Sequence, residues 1–404
     1  MSVQREFDVV VYGATSFVGQ ILCRYLVGRH GASGSLRWAI AGRNASKLDD
    51  VARRTGADVP RIVADATDRD ALAAMVASTR VVASTVGPYA LYGSELVEAA
   101  VEAGTDYCDL TGEVQWMRRM IDAHQERAEQ TGARIVHACG FDSIPSDVGT
   151  WFTQQRSIER FGEPCIEVRM AVKGVRGGLS GGTAASGIQM FEEIAEEPSL
   201  RKLIGDPYVL APVDLRAGPR QPGIARPTRD ERFESWVAPF VMAPTNSAVV
   251  LRTHALLGRP WGREFTYGET MMTGDGLAGG VAAWGMTAGL AAFAGAASFG
   301  PTRSLLGKVI PKPGEGPSEA KQQAGWFDLR FVGRTAGGHE IHTKVTGDAD
   351  PGYGSTAKML GESAVAFLDL DRVGGGFWTP ASAFGDALIE RLEAHAGIRF
   401  DVVP

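Results

Sequence analysis

The feature that most restricts the fold lies at the start of the chain. The apolar, β-branched run of residues 7–12 ends at Gly13, and Gly13-Ala14-Thr15-Ser16-Phe17-Val18-Gly19 follows. Apolar residues then recur at helical spacing through Ile21, Leu22, Tyr25 and Leu26, so the glycines fall on a strand-to-helix turn. Such a turn suits a dinucleotide. Gly13 permits the tight bend and Gly19 lets the helix pack on the sheet. The backbone of Thr15, Ser16, Phe17 and Val18 at the helix start faces a pyrophosphate, with help from the helix dipole. Ser16 stands where a glycine is more usual; it is small enough for the backbone to approach the phosphates, and its hydroxyl is a further donor to them.

The next strand, residues 36–41, closes with Gly42 and Arg43. A chain built for NAD has an acidic residue at this strand end to accept from the ribose 2′-OH. Arg43 instead suits a 2′-phosphate, gripped bidentately, with Ser46 and Lys47 on the following turn completing an anion site. The expected cofactor is therefore NADP(H). Residues 61–64 lead to Asp65, placed to meet the adenine edge. Residues 81–86 bring Ser84, Thr85, Val86, Gly87, Pro88 and Tyr89 past the nicotinamide end. Strands at 105–110 and 134–138, with helices at 95–103 and 117–131, complete an alternation that means a Rossmann-like, doubly wound parallel sheet. Its ligand crevice lies at the carboxyl ends of the strands.

Length and charge bound the rest. A chain of 404 residues holds about two or three domains. A net charge of −6 provides no chain-wide positive field, which excludes nucleic acid as a partner. Cys23, Cys108, Cys139 and Cys165 lie far apart without a C-x-x-C pair, so neither a zinc knuckle nor a disulfide scaffold is expected and a reducing, cytoplasmic setting fits. The charged start runs straight into a strand, so no signal peptide is expected.

After residue 147 the pattern changes. Residues 165–172, 247–252, 265–267, 326–332 and 340–345 read as strands with few helices between them, which suggests an α+β domain on a mixed or antiparallel sheet. Residues 206–232 read as a long loop and 311–317 as a flexible connection. His339 and His342 would point to opposite faces of a strand, and residues 348–350 read as a turn; no metal site is expected. Residues 277–300 carry no charge but are mostly Ala and Gly. As a helix they would present two apolar faces, and we expect burial within the protein or at a subunit contact. A membrane-facing or lipid-lining patch is the alternative, and a true membrane span ranks below both.

Residues 13–19 (GATSFVG), 84–93 (STVGPYALYG), 104–113 (GTDYCDLTGE) and 138–147 (ACGFDSIPSD) together resemble the saccharopine dehydrogenase-like oxidoreductases, and most nearly the mycobacterial trans-acting enoyl reductases. The resemblance continues through residues 181–186, 352–356 and 377–381. It implies a nicotinamide-binding domain at 1–147, a substrate or oligomerisation domain at 148–355, and a helical region at 356–404 that packs back on the first. It also implies reduction of an enoyl group on a carrier-delivered lipid or polyketide intermediate. Peripheral membrane contact through 277–300 and a homodimer accompany this expectation. No counterpart is found for the cationic set that would hold the glutamate part of saccharopine. A reductase of amino-acid conjugates and a non-catalytic NADP(H)-binding lipid-surface protein are the rivals.

Reduction of an enoyl thioester needs a proton for the α-carbon and a donor for the enolate oxygen. Tyr89, Tyr107, Cys108, Asp142 and Ser143 sit near strand ends, and we take Tyr89 as donor and Asp142 as orienting group. The blander reading has Tyr89 packing over the cofactor and Asp142 with Ser143 capping the helix that begins near Pro145. No Tyr-x-x-x-Lys pair occurs, so the short-chain dehydrogenase mechanism is not available.

Overall fold

β1 (Phe7–Tyr12) is buried at every position, as a strand covered on both faces must be. Its alternate side chains enter different cores: Val9 and Val11 pack with Ile21, Leu22 and Leu26, and Val10 and Tyr12 with Leu72, Met75 and Leu96. The computed structural model describes residues 5–177, 181–223, 226–302 and 316–404.

β1 is the hub of a parallel sheet. With β2 (Trp38–Gly42), β3 (Arg61–Val63), β4 (Thr79–Ser84), β5 (Asp106–Asp109), β6 (Arg134–Val136) and β13 (Gly376–Trp378) it forms seven strands in the order β3-β2-β1-β4-β5-β6-β13. α1 (Phe17–His30) and α2 (Ala45–Thr55) cover one face; α3 (Arg69–Ser78), α5 (Ser94–Ala103) and α6 (Val114–Thr131) cover the other. A four-residue helix, α4 (Tyr89–Tyr92), precedes α5. The strand order reverses between β1 and β4, which is where such sheets open a ligand crevice.

α7 (Ile144–Phe161) leads out of this sheet and packs on the second. Its Gly149 is in such close contact that an added Cβ would lie 2.6 Å from Phe331 and 3.0 Å from Val345. The second sheet also has seven strands. β7 (Cys165–Arg176), β8 (Thr228–Asp230), β9 (Ser235–Pro239), β10 (Thr266–Gly274), β11 (Trp326–Thr335), β12 (Glu340–Gly347) and β14 (Ile398–Val403) run in the order β14-β12-β11-β7-β10-β9-β8. Only β7 and β10 pair in parallel, so the sheet is mixed, as the sequence pattern implies.

Residues 247–252 are not a strand but the middle of α10 (Ala243–Leu256). Every residue from Asn246 to Ala255 is buried, so the segment has no polar face and its periodicity cannot separate a buried helix from a buried strand. The apolar segment is not buried within its own chain, the first of the placements expected for it, which leaves a subunit contact or a lipid-facing patch. It forms one helix, α11 (Gly276–Ser298), preceded by α8 (Gly181–Glu196) and α9 (Leu200–Ile204), and it is not enclosed within the chain. Leu277, Val281 and Trp284 are 91%, 73% and 57% exposed. Its buried positions are Gly279, Gly280, Ala283 and Ala297. Small residues make the contact because they allow the helix backbone to approach β9 and β10 closely: a Cβ on Gly280 would lie 3.2 Å from Trp236. Of the connection at 311–317, residues 311–315 lie outside the described residues.

The carboxy-terminal part divides between the two sheets. Gly376–Trp378 extends the first and Ile398–Val403 edges the second. The helix Thr356–Ala366 lies on α1, where the buried Glu362 accepts from the Tyr25 hydroxyl at 2.5 Å and pairs with Arg391 at 2.8 Å.

Two buried carboxyls hold α7, α10 and their neighbours together. Asp147 accepts from the Ala381 N–H at 2.8 Å and from the Thr253 hydroxyl. Glu269 accepts from the Tyr267 hydroxyl at 2.6 Å and the Asn246 amide at 3.0 Å. Burial pushes both acids up, each to about 7. The folded state therefore holds these protons more tightly than the unfolded chain, and this contribution to stability is lost as pH rises from about 4 through 7. We expect Asp147→Asn and Glu269→Gln each to flatten the fall in unfolding free energy over that window by on the order of 1 kcal/mol or more. Denaturant melts at stepped pH read the difference; a slope unchanged from wild type in both variants would refute it.

Candidate functional site

Gly13 ends β1 with φ +83°, and a Cβ there would lie 2.5 Å from Val86 and 2.8 Å from the Thr85 hydroxyl. A Cβ on Gly19 would lie 2.3 Å from the Gly13 carbonyl oxygen. Both positions therefore demand glycine, and the turn between them is closed tightly against the end of β4. Ser16 is the N-cap of α1: its hydroxyl oxygen accepts from the Gly19 N–H at 2.9 Å. Thr85 donates to the Gly13 carbonyl at 2.9 Å, so in the 2.9 Å contact between the two hydroxyls the proton comes from Ser16. The expected Ser16 hydroxyl donor to phosphate is thus already spent on Thr85. What the helix start offers an anion is backbone: the cap satisfies the Gly19 N–H and leaves those of Phe17 and Val18 without an intrahelical partner.

At the end of β2, Asn44 caps α2, accepting from the Lys47 N–H at 3.0 Å and the Ser46 hydroxyl at 2.8 Å. Arg43, Ser46 and Lys47 are exposed, and among the described residues neither cation has a carboxylate within ion-pair distance. Cations at a helix N-terminus oppose the helix dipole, and an anion placed among them reverses the sign of that interaction. Asp65 follows β3, and its carboxylate is held by the Thr67 N–H at 3.0 Å and hydroxyl at 2.8 Å. Those bonds, with a smaller contribution from Arg43, hold its carboxyl below the usual range. Glycine turn, basic pair and Asp65 thus form a cradle whose chemistry fits a dinucleotide bearing a 2′-phosphate.

Past β4, residues Ser84 to Pro88 lead into Tyr89. Its phenol donates to the Ser84 carbonyl and accepts from the Leu110 N–H, both at 3.1 Å. The ring is buried 5.5 Å from that of Trp116. The hydroxyl proton is committed to the backbone and burial pushes the group well up, so Tyr89 pins β4 to β5 and has no proton free for a ligand. Tyr107 and Cys108 lie within β5, buried on opposite faces, and do not reach the crevice. Asp142 is half-buried in the turn before α7. Ser143 stands at the N-cap position of that helix but makes no side-chain cap bond; its hydroxyl donates to Asn246 at 3.0 Å.

Two acids that the pattern reading passed over organise this end. Glu113 is buried and accepts from the N–H groups of Tyr89 and Ala90, each at 2.8 Å, and from the Ser186 hydroxyl of α8 at 2.7 Å. One carboxyl thereby ties the turn after β4 to the second domain. Burial pushes it up. Asp109 accepts from His137 Nδ1 at 2.7 Å and from the N–H groups of Ala138 and Thr111 at 3.1 Å. The signal available was the pair of acids between β5 and α6, Asp109 as the last residue of the strand and Glu113 at the N-cap position of the helix. The second domain adds Thr245, which donates to the Gly112 carbonyl at 3.2 Å, and Thr356, which accepts from the Phe141 N–H at 3.0 Å.

Residues 9–136 match the saccharopine dehydrogenase NADP binding domain family. A trans-acting enoyl reductase of Mycobacterium bovis is 40% identical over 406 residues, 96% of each chain. A protein of Mycobacterium tuberculosis, provisionally named a trans-acting enoyl reductase, is 41% identical over 98% of this chain and 97% of its own. Among solved structures, saccharopine dehydrogenase (L-Glu forming) from Saccharomyces cerevisiae superposes with a TM-score of 0.56 and 13% identity over 98% of this chain and 100% of its own, a likeness of fold. NADP(H) is therefore the cofactor of the first domain.

Arg43→Asp is expected to weaken NADPH binding at least tenfold while changing NADH binding little, since a lost charge-assisted contact costs about 1.5–3 kcal/mol. Titration calorimetry with both coenzymes measures this, and an equal loss for both would remove Arg43 from the phosphate site.

Proposed function

The chain belongs to the saccharopine dehydrogenase-like oxidoreductases, and on that footing we propose that it reduces the enoyl group of a lipid or polyketide-type thioester in the cytoplasm. The observation that carries this reading is similarity to trans-acting enoyl reductases along nearly the whole chain, second domain included. It is supported by the convergence of residues 84–93, 104–113, 138–147 and Ser186 on one crevice.

Bound NADPH supplies the hydride for the β-carbon. The protein holds and orients. Glu113 fixes the turn after β4, which would line the coenzyme site, and joins it to α8. Tyr89 has no proton to give, and Asp142, half-buried in the turn before α7, is the orienting group. An amino-acid conjugate is the competing substrate, and none of the described residues named at this crevice is a cation suited to its carboxylates. Steady-state assays should show NADPH oxidation with enoyl thioesters of long acyl chains and none with saccharopine; turnover of saccharopine alone would overturn the proposal.

We further propose that the exposed apolar side of α11 rests on a lipid surface, bringing the crevice close to an apolar substrate. The helix is long and apolar enough to enter a membrane, and only 17% of its most apolar window is buried in the protein. In flotation with phospholipid vesicles, wild type should rise with the lipid and the triple variant Leu277→Ser, Val281→Ser, Trp284→Ser should not. A protein that stays at the bottom of the gradient and is dimeric by light scattering would assign this face to a second copy instead.

A further inference from the structure

A second polar centre lies away from the glycine turn, where α6, α10 and β13 meet. His137 is buried, with Nδ1 2.7 Å from Asp109. Its other ring nitrogen, Nε2, is also buried and has no hydrogen-bond partner. An imidazole in this state calls for an occupant, because a buried polar atom left unpaired costs about 1–3 kcal/mol.

His137 faces a cavity shared with Arg252 and walled by Met117, Ile121, Val249 and Phe377. The void leaves about 10 Å³ for the centre of a water-sized occupant, room for a single small species. Arg252 is only 3% exposed. Its guanidinium donates to the Phe377 carbonyl at 2.6 Å and to that of Leu210, and among the described residues it has no carboxylate partner. Two more guanidiniums converge on the same stretch of backbone: Arg118 reaches the carbonyls of Val209 and Ala211 at 3.4 Å, and Arg216 that of Ala211 at 3.3 Å. Both of these pair with a single acid, Asp122. Burial, and then repulsion from Arg118 and Arg216, push Arg252 down to about 9. A cation this buried normally has an opposite charge beside it, and the described residues supply none.

We propose that the cavity between His137 and Arg252 binds one small monovalent anion of halide size. His137 is held by Asp109 through Nδ1 and turns its other side to the cavity, with the Arg252 guanidinium also on its wall. The anion then gives Arg252 the counter-charge it lacks among the described residues, and each buried group has a partner. The site would fasten β13, contributed by the carboxy-terminal part, to α6 and to the second domain's α10. This inference does not depend on the reaction catalysed.

Thermal melts at constant ionic strength, comparing sodium bromide and sodium chloride with sodium gluconate, test it. The midpoint should rise saturably in either halide, by about 1–3 °C at tenfold excess over Kd, and Arg252→Met should abolish the difference. If that variant does not fold, His137→Asn, which keeps the guanidinium but removes Nε2, carries the same comparison. Crystals grown in bromide should show an anomalous peak between Nε2 and the guanidinium. Equal midpoints in halide and gluconate, or density at the height of a water with no anomalous signal, would overturn the proposal.

Discussion

A carboxylate taken out of water has to be given donors in place of those it loses, and several buried acids among the described residues are given donors drawn from different elements. Asp109 gathers the ends of β5 and β6. Glu113 gathers the turn after β4 and helix α8. Asp147 and Glu269 gather α7, α10, β10 and the chain near Ala381. The loops that surround the crevice are held by these bonds, which are directional and short, while the apolar contacts beneath them carry the bulk of the burial. Loops fixed in this way add directional bonds to an apolar core that is continuous from Val9 and Leu22 to Met170 and Phe331.

The division of labour between the sheets follows from how each is covered. The first is parallel and enclosed on both faces by helices, which leaves the strand ends as the natural place for ligands. The second is mixed, with α7 bound to one face and α11 riding on the strands β9 and β10 at its far side. The carboxy-terminal residues belong to both, adding β13 to one and β14 to the other. Relative movement of the domains would have to disturb these late strands as well as the Glu113–Ser186 bond, so the crevice is framed by chain segments from the beginning, middle and end of the sequence.

Much of the first domain was legible in the letters. Buried parallel strands give unbroken apolar runs, and the glycines at 13 and 19 sit where no side chain fits. The place of Arg43 at the end of β2 was legible too, because the motif before it fixes where that strand closes. The misreadings have a common cause, which is that one-dimensional pattern does not encode what lies alongside. Residues 247–252 are buried because a helix is wrapped on all sides, not because a strand alternates. The large residues of α11 look like core but face outward, while its glycines do the packing. Tyr89 and Ser16 carry hydroxyls of the expected kind, yet a neighbouring carbonyl in one case and Thr85 in the other have already taken the proton.

By itself, the sequence determined the order of strands and helices in the nucleotide-binding half, the glycine turn and the preference for a phosphate-bearing coenzyme, since these rest on local sterics and on charges a few residues apart. Tertiary structure alone decided which polar groups remain available. Hydrogen-bonding capacity is consumed by partners distant in sequence, as when Ser186 reaches Glu113 or Ala381 reaches Asp147, and a donor's freedom is a property of its surroundings and not of its residue type.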